Sequence, residues 1–312
     1  MDGKELSIHK LTLCIFFLFS STILPLSAGN DVFTIHNNFE SANVSAFLYY
    51  IPAIEDVVTI QDVRRSEKIC HSIDSEYVNF GYTTTSHWFC LHIMNRAQVK
   101  DTILEFDYPI LDYVDLYMVH DGKVQQIYNT GDRRKFSTRP LASRTLAFPL
   151  DLQHGMNRVF FKIKTCSSFN FSIFLHSREF FVRNNTHEMS LLFMFYGIML
   201  FIGIFNFLIF FSTRDTAHLF FSFFSVSLML YLMCLRGLGF MFLWPESASW
   251  ANRAIPTFAF VFIGSASLFF DSMLKFHQYL SKKLRWGILL FTVLAAFLLA
   301  VQFIIRYMTA VQ

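Results

Sequence analysis

Residues 101–119 read DTILEFDYPILDYVDLYMV. Apolar and polar residues alternate along this stretch, the period-two spacing of strands that bury one face. Leu104, Phe106 and Tyr108 fall on one side, Glu105 and Asp107 on the other. After Pro109, Val114, Leu116 and Met118 alternate with Tyr113, Asp115 and Tyr117. In NRVFFKIKT, Val159, Phe161 and Ile163 alternate with Phe160, Lys162 and Lys164, and in FNFSIFLH the residues Phe169, Phe171, Ile173 and Leu175 share a face. Asp121-Gly122 separates two such runs, and Asp-Gly is a favoured hairpin turn because both central positions need positive φ. QHGMN around Gly155 separates two more. Short alternating strands at close intervals predict an all-β antiparallel sandwich or jelly roll over residues 29–183.

The chain on either side of this domain is different in kind. Of its 312 residues, 54% are hydrophobic and 40 are phenylalanine, which is too apolar for a soluble domain alone. The net charge of +3 is small, and no basic stretch is interleaved with aromatics, so nucleic acid is not an expected partner. At the start, Lys4 and Lys10 precede the apolar run LTLCIFFLFSSTILPL, and LSA ends at Ala28 before Gly29. That is the secretory pattern, read as a signal peptide over residues 1–28. The alternative is a retained anchor, which the short apolar core followed by Pro25 disfavours. Export leaves Cys70, Cys90 and Cys166 in one compartment, enough for one disulfide and a remaining thiol, with the pairing open.

Residues 184–312 read as membrane. Four apolar runs, 189–211, 217–235, 255–273 and 286–305, are long enough to span a bilayer as helices. With the β-domain exported, STRDTAH and KFHQYLSKKLR fall on the cytoplasmic side and RGLGFMFLWPESASWANR on the outside. The second cytoplasmic loop carries Lys275, Lys282, Lys283 and Arg285, in accord with the positive-inside rule. Gly197, Gly203 and Asn206 in the first span, Ser222, Ser225 and Ser227 in the second, and Gly264, Ser265, Ala266 and Ser267 in the third predict helices packed on one another. The spans carry no central charge, which argues against an ion or proton path.

Chemistry is sparse in the exported domain. Cys70, His71, His87, Cys90 and His92 lack the spacing of a zinc site, and Cys90 and His92 would share one strand face with His87 on the other. Asp112 and Asp115 have no matching nucleophile. No metal site, cofactor or catalytic set is expected, and the chain does not read as an enzyme. Two features suit a small polar ligand: Tyr113, Asp115 and Tyr117 on the polar face of one strand, and the basic loop GDRRKFSTRPLASR with Arg133, Arg134, Lys135, Arg139 and Arg144. Aromatic faces beside hydrogen-bonding groups fit sugars. The candidate ligand residues are therefore Tyr113, Asp115, Tyr117, Arg134 and Arg139, against the plain alternative of a solvated face and a charged loop.

In order along the chain, FGYTTTSHWFCLHIMNR, LEFDYPILDYVDLYMVHDGKV (with Pro109, Asp112, Asp115 and Leu116), GDRRKFSTRP, FPLDLQHG, YGIMLFIGIFNFLIFFSTRD and RGLGFMFLWPESASWANRAIP resemble one family. It is the bacterial seven-transmembrane receptors with diverse intracellular signalling modules, in the version with the second type of extracellular domain. The resemblance implies a periplasmic jelly-roll sensor similar to carbohydrate-binding modules, a multi-pass helical bundle in the bacterial inner membrane, and a cytoplasmic output. No ligand residues come with the motif, and Trp88 and Tyr82 read as framework. This chain departs from the family by offering four spans and no output, so it reads as truncated after four helices. The expected partners are a small polar or carbohydrate ligand, the lipid bilayer, and a separate signalling protein or a second copy in a homo-oligomer. The alternatives are a membrane-tethered glycan- or protein-binding module and a non-signalling receptor fragment.

Overall fold

The computed structural model describes residues 32–51, 60, 63, 70–83, 85–97 and 99–274, with single positions between 286 and 301. The expected signal peptide and most of the fourth span lie outside the described residues.

Two sheets face each other. The larger has seven strands: β1 (Phe33–Ile35), β3 (Leu48–Ile51), β4 (His71–Ser72), β6 (His87–Asn95), β8 (Tyr113–His120), β9 (Lys123–Thr130) and β11 (Gly155–Lys164). Its order is β4-β3-β6-β11-β8-β9. β3 and β1 share one edge of β6 end to end, β3 along Trp88–Leu91 and β1 along Ile93–Asn95. The β1 pairing is parallel, a departure from the antiparallel expectation. The second sheet is four-stranded, β10-β7-β13-β2, built from β2 (Ser41–Asn43), β7 (Asp101–Phe106), β10 (Leu146–Asp151) and β13 (Ile173–Ser177). β5 (Val78–Tyr82) and β12 (Ser168–Phe171) form a separate ribbon.

The alternation places the core between the sheets. Val114, Leu116 and Met118 of β8, and Val159, Phe161 and Ile163 of β11, are fully buried against Leu104 and Phe106 of β7 and Phe148 of β10. Phe106 meets Phe161 edge-on across the sandwich, ring centres 5.3 Å apart, and Phe89 stacks on Phe161 at the same distance. Each such ring contributes about 1.5–3 kcal/mol through burial. The single run 169–175 serves two layers, because β12 ends at Phe171 and β13 starts at Ile173. Asp121 and Gly122 both take positive φ, 46° and 74°, as the hairpin requires.

β13 passes straight into helix α1 (Arg178–Thr213). The Ser177 hydroxyl caps it, accepting from the Phe180 N–H, with Glu179 in the first turn where the helix dipole favours an acid. The helix therefore begins well before the apolar run at 189. Arg214, in the left-handed conformation (φ 56°), turns the chain, and the Asp215 carboxylate caps α2 (Thr216–Leu235). A π-helical turn at Gly239–Leu243 leads to α3 (Ala248–Met273). All three helices are long and apolar enough to cross a membrane.

The small residues act where the helices meet. The Ser222 hydroxyl donates to the Gly203 carbonyl (2.8 Å), Ser225 to the Met199 carbonyl (3.1 Å), and Ser227 pairs with Ser265 across α2 and α3 (3.2 Å). Asn206 pairs with His218. Gly197 and Gly264 are different: a side-chain carbon at either would meet open space, so neither is a site of close approach among the described residues.

Candidate functional site

The outer face of the large sheet gathers the polar and aromatic residues that the alternation leaves pointing away from the core. The strand register builds one row across four strands: Trp88 on β6, Lys162 on β11, Asp115 on β8 and Asn129 on β9. Asp115 is the hub. Its Oδ1 accepts from Arg134 Nη1 at 2.6 Å and from Asn129 Nδ2 at 2.9 Å. Arg134 also donates to the Thr130 carbonyl and lies 5.3 Å from the centre of the Tyr113 ring. Lys162 lies over Trp88 at 5.6 Å, and Tyr117 stacks against Trp88 at 5.9 Å. Tyr113, Asp115, Tyr117, Arg134 and Lys162 are all partly exposed, and Asn129 is exposed. The structure thus joins Tyr113, Asp115, Tyr117 and Arg134.

Beneath this patch is a second apolar cluster, which the alternation did not announce. Phe160 and Trp88, on the outward side of their strands, are buried with Ile51, Val63, Cys90 and Val119. Burial there raises the Tyr117 pKa, with the Asp115 charge adding to the effect and Arg134 opposing it. Trp88 Nε1 has no hydrogen-bond partner among the described residues. Cys90 and His92 do share a face, 3.3 Å apart, but Cys90 is fully buried. His87 lies on the opposite side among Tyr50, Phe80 and Phe169, and burial lowers its pKa. Cys166 is a free thiol.

Arg139 goes elsewhere. It is 7% exposed, and its guanidinium donates to the carbonyls of Ser143 (2.9 Å), Arg144 (2.8 Å), Thr145 (3.3 Å) and Pro109 (3.3 Å). The ring faces of Phe136 and Phe240 flank it. Arg144 is also buried and pairs with Glu188 of α1 at 2.5 Å. The loop between β9 and β10 is therefore not a solvated basic segment: Arg139 braces the loop's own carbonyls and Pro109 with the Phe240 ring against its face, and Arg144 ties the sandwich to α1.

The same loop buries acids. Asp112 pairs with Arg133 (3.3 Å) and accepts from the Cys166 N–H (2.9 Å). Asp132 is buried and borders a small cavity lined by Pro109, Ile110, Cys234, Gly237, Phe240 and Trp244. Its Oδ1 has no hydrogen-bond partner among the described residues. Burial raises the Asp132 pKa well above the usual carboxylate range, reinforced by the Asp112 charge and opposed by Arg139 and Arg133. Burial likewise pulls Arg139 down to about 10 and pushes Cys166 up to about 11.

Trp88, Lys162 and Asn129 were not read from the sequence as part of a site. Each is on a different strand, and only the register brings them together.

Two family descriptions match this chain. "7TMR-DISM extracellular 2" covers residues 45–177 and "7TM diverse intracellular signalling" covers residues 188–312. No curated protein matches. Among solved structures, the chain is similar to a Bacteroides fragilis protein described as a beta-galactosidase. Identity is 7% and the TM-score 0.28, over 44% of this chain and 23% of that one, too partial a likeness to bear on function.

Proposed function

Because this chain belongs to the seven-transmembrane receptors with diverse intracellular signalling, carrying their type 2 extracellular domain, we propose that the outer face of its large sheet is the receptor's ligand site. Membership makes the protein a membrane receptor with an extracellular-side sensor domain and a signalling role. The ligand in this reading is a small polar molecule, with carbohydrate as the class that fits.

The observation that carries the reading is the half-exposed row Lys162–Asp115–Asn129 with Arg134, flanked by Tyr113 and Tyr117. Asp115 supplies acceptors, Arg134, Asn129 and Lys162 supply donors, and the tyrosines supply flat apolar faces. A ring bearing hydroxyls needs that mixture. Cations outnumber acids in the patch, so an acidic sugar is favoured over a neutral one. In this reading residues 1–28 are a cleaved signal peptide, 29–183 the periplasmic sensor and 184–312 the membrane part in the inner membrane. A tether with a binding domain is the second reading. The three-sided contact of the β9–β10 loop with the helices favours a receptor over it, because an anchor has no need of such contact.

The test uses the full chain in detergent micelles, titrated calorimetrically with neutral and acidic mono- and oligosaccharides. At least one acidic sugar is expected to bind, and Arg134→Ala and Tyr117→Ala each to weaken it about tenfold or more, the scale of one lost charged hydrogen bond. Absence of heat from the whole panel, or affinities unchanged in both variants, would refute the site.

A further inference from the structure

The geometry points to the β9–β10 loop, residues 131–145, as the element that couples the outer face of the large sheet to the membrane helices, with Arg134 as its input and Asp132, Phe136 and Arg144 as its outputs. This rests on the reading of that face as the ligand site.

Arg134 is committed to the patch through Asp115 and Tyr113. Its neighbours are committed to the helices. The Asp132 carbonyl accepts from Asn252 Nδ2 of α3 at 3.1 Å. The Phe136 N–H donates to the Pro245 carbonyl at 3.0 Å, and its ring meets Phe240 edge-on at 5.5 Å. Lys135 pairs with Glu246. Arg144 pairs with Glu188 of α1. One loop thus touches α1, α3 and the connection between α2 and α3.

The loop is stiff enough to carry a displacement. Asp132 N–H donates to the Leu111 carbonyl (2.8 Å), Arg133 N–H to the Asp112 carbonyl (3.2 Å) and Arg134 N–H to the Gly131 carbonyl (3.3 Å). A 3-10 turn at Phe136–Thr138 follows, and the Thr138 hydroxyl bonds the Lys135 carbonyl and the Thr130 hydroxyl. Arg134 is two residues from each of Asp132 and Phe136, so a ligand that shifts its guanidinium has little slack to take up before the helix contacts move. Directional hydrogen bonds at both ends fix this arrangement of the loop, and the relay requires a second one that bound ligand favours.

Coupling is reciprocal, so it can be tested without ligand. Amide hydrogen exchange is followed by mass spectrometry on the full chain in lipid nanodiscs, for the parent, Arg134→Ala and Asn252→Ala. Arg134→Ala is expected to speed exchange in peptides spanning 236–256 by about fivefold or more, and Asn252→Ala to do the same for 129–139. Peptides of β6 serve as the fold control and are expected to be unchanged. If Arg134→Ala accelerates exchange only within 113–117 and 129–134, the relay is overturned. Should β6 exchange also rise in that variant, Arg134→Lys replaces it, with the same criterion. Failure of the sugar titrations leaves this result standing, and failure here leaves the titrations standing, so the two readings are separable.

Discussion

Arg139→Leu separates a structural arginine from a ligand-binding one. Leucine keeps much of the apolar stem and deletes the fork. Four carbonyls, at Ser143, Arg144, Thr145 and Pro109, then lose a charged donor in a site that is 7% exposed. Two of these bonds are short, 2.9 and 2.8 Å, and two are long, 3.3 Å. Hydrogen bonds to charged groups contribute about 1.5–3 kcal/mol each, but they are not additive and the charge is already held at a cost. That cost is visible in the fall of the Arg139 pKa to about 10. Removing one partner of a buried charged set costs about 3–5 kcal/mol, and we expect a loss in that range. At roughly 2–4 °C per kcal/mol for a domain of this size, melting falls by about 6–20 °C. The assay is thermal unfolding of the full chain in detergent micelles, read at the β-sheet circular dichroism signal. Arg139→Lys, with one ammonium in place of a planar fork, recovers only part of the loss. A melting point within about 1 °C of the parent, with sugar binding lost, would refute the structural role and return Arg139 to the ligand face.

Three further outcomes are expected. Asp132 titrates in the folded protein well above the ordinary carboxylate value, so between about pH 4, its unfolded value, and its folded pKa the native state holds more protons than the unfolded chain. Its contribution to stability is therefore greatest at the acid end and is lost as pH rises; Asp132→Asn should flatten that slope in melting curves from pH 5 to 9, and parallel curves would contradict it. Gly237 has φ 77°, and an added side-chain carbon would lie 2.6 Å from the Arg144 carbonyl oxygen; Gly237→Ala should cost about 2 kcal/mol or more and open 236–246 to protease, because strain in the left-handed region adds to the clash. At Gly203, whose carbonyl accepts from the Ser222 hydroxyl, the added carbon would meet Val226 Cγ2 of α2 at 2.9 Å. Gly203→Ala should lower resistance to denaturing detergent by about 1–3 kcal/mol, and an unchanged titration midpoint would show that α1 and α2 are not packed there.

The strands were legible because alternation reports which way a side chain points. It does not report what lies opposite, so Phe160 and Lys162 read alike as outward residues while one is buried and the other lines the patch. Asn129 was hidden by a bulge. A regular two-residue hairpin at Asp121-Gly122 pairs Asp115 with Tyr128, but the irregularity after Met118 shifts the register by one, and Asn129 faces Asp115 instead. The same shift turns Tyr128 inward, where its hydroxyl donates to the Pro149 carbonyl. The early start of α1 was within reach, since Ser177 with Glu179 just after it is a helix-start pattern. The apolar run alone marks where the helix meets lipid, not where it begins.

The basic loop was the larger misreading, and its physical reason bears on mechanism. Five cations in a short segment ordinarily mean solvent, because burying a charge is expensive without partners. Here the partners are backbone carbonyls, three of them in the loop itself and one at Pro109, together with the Glu188 carboxylate of α1 and the buried Asp112, which come from segments distant in sequence. An apolar seam would hold the sandwich to the helices as firmly, since buried ion pairs are often no better for stability than well-packed side chains. Apolar contacts, however, permit sliding, whereas Arg144 on the Glu188 carboxylate and Asn252 on the Asp132 carbonyl fix register and orientation together. On the proposal that this loop relays ligand binding, the polar seam has a consequence: replacing the Arg144–Glu188 pair by Met and Leu should keep or raise the melting point while weakening the reciprocal exchange effects of Arg134→Ala and Asn252→Ala. Retention of the full coupling in that double variant would show that the seam serves attachment alone.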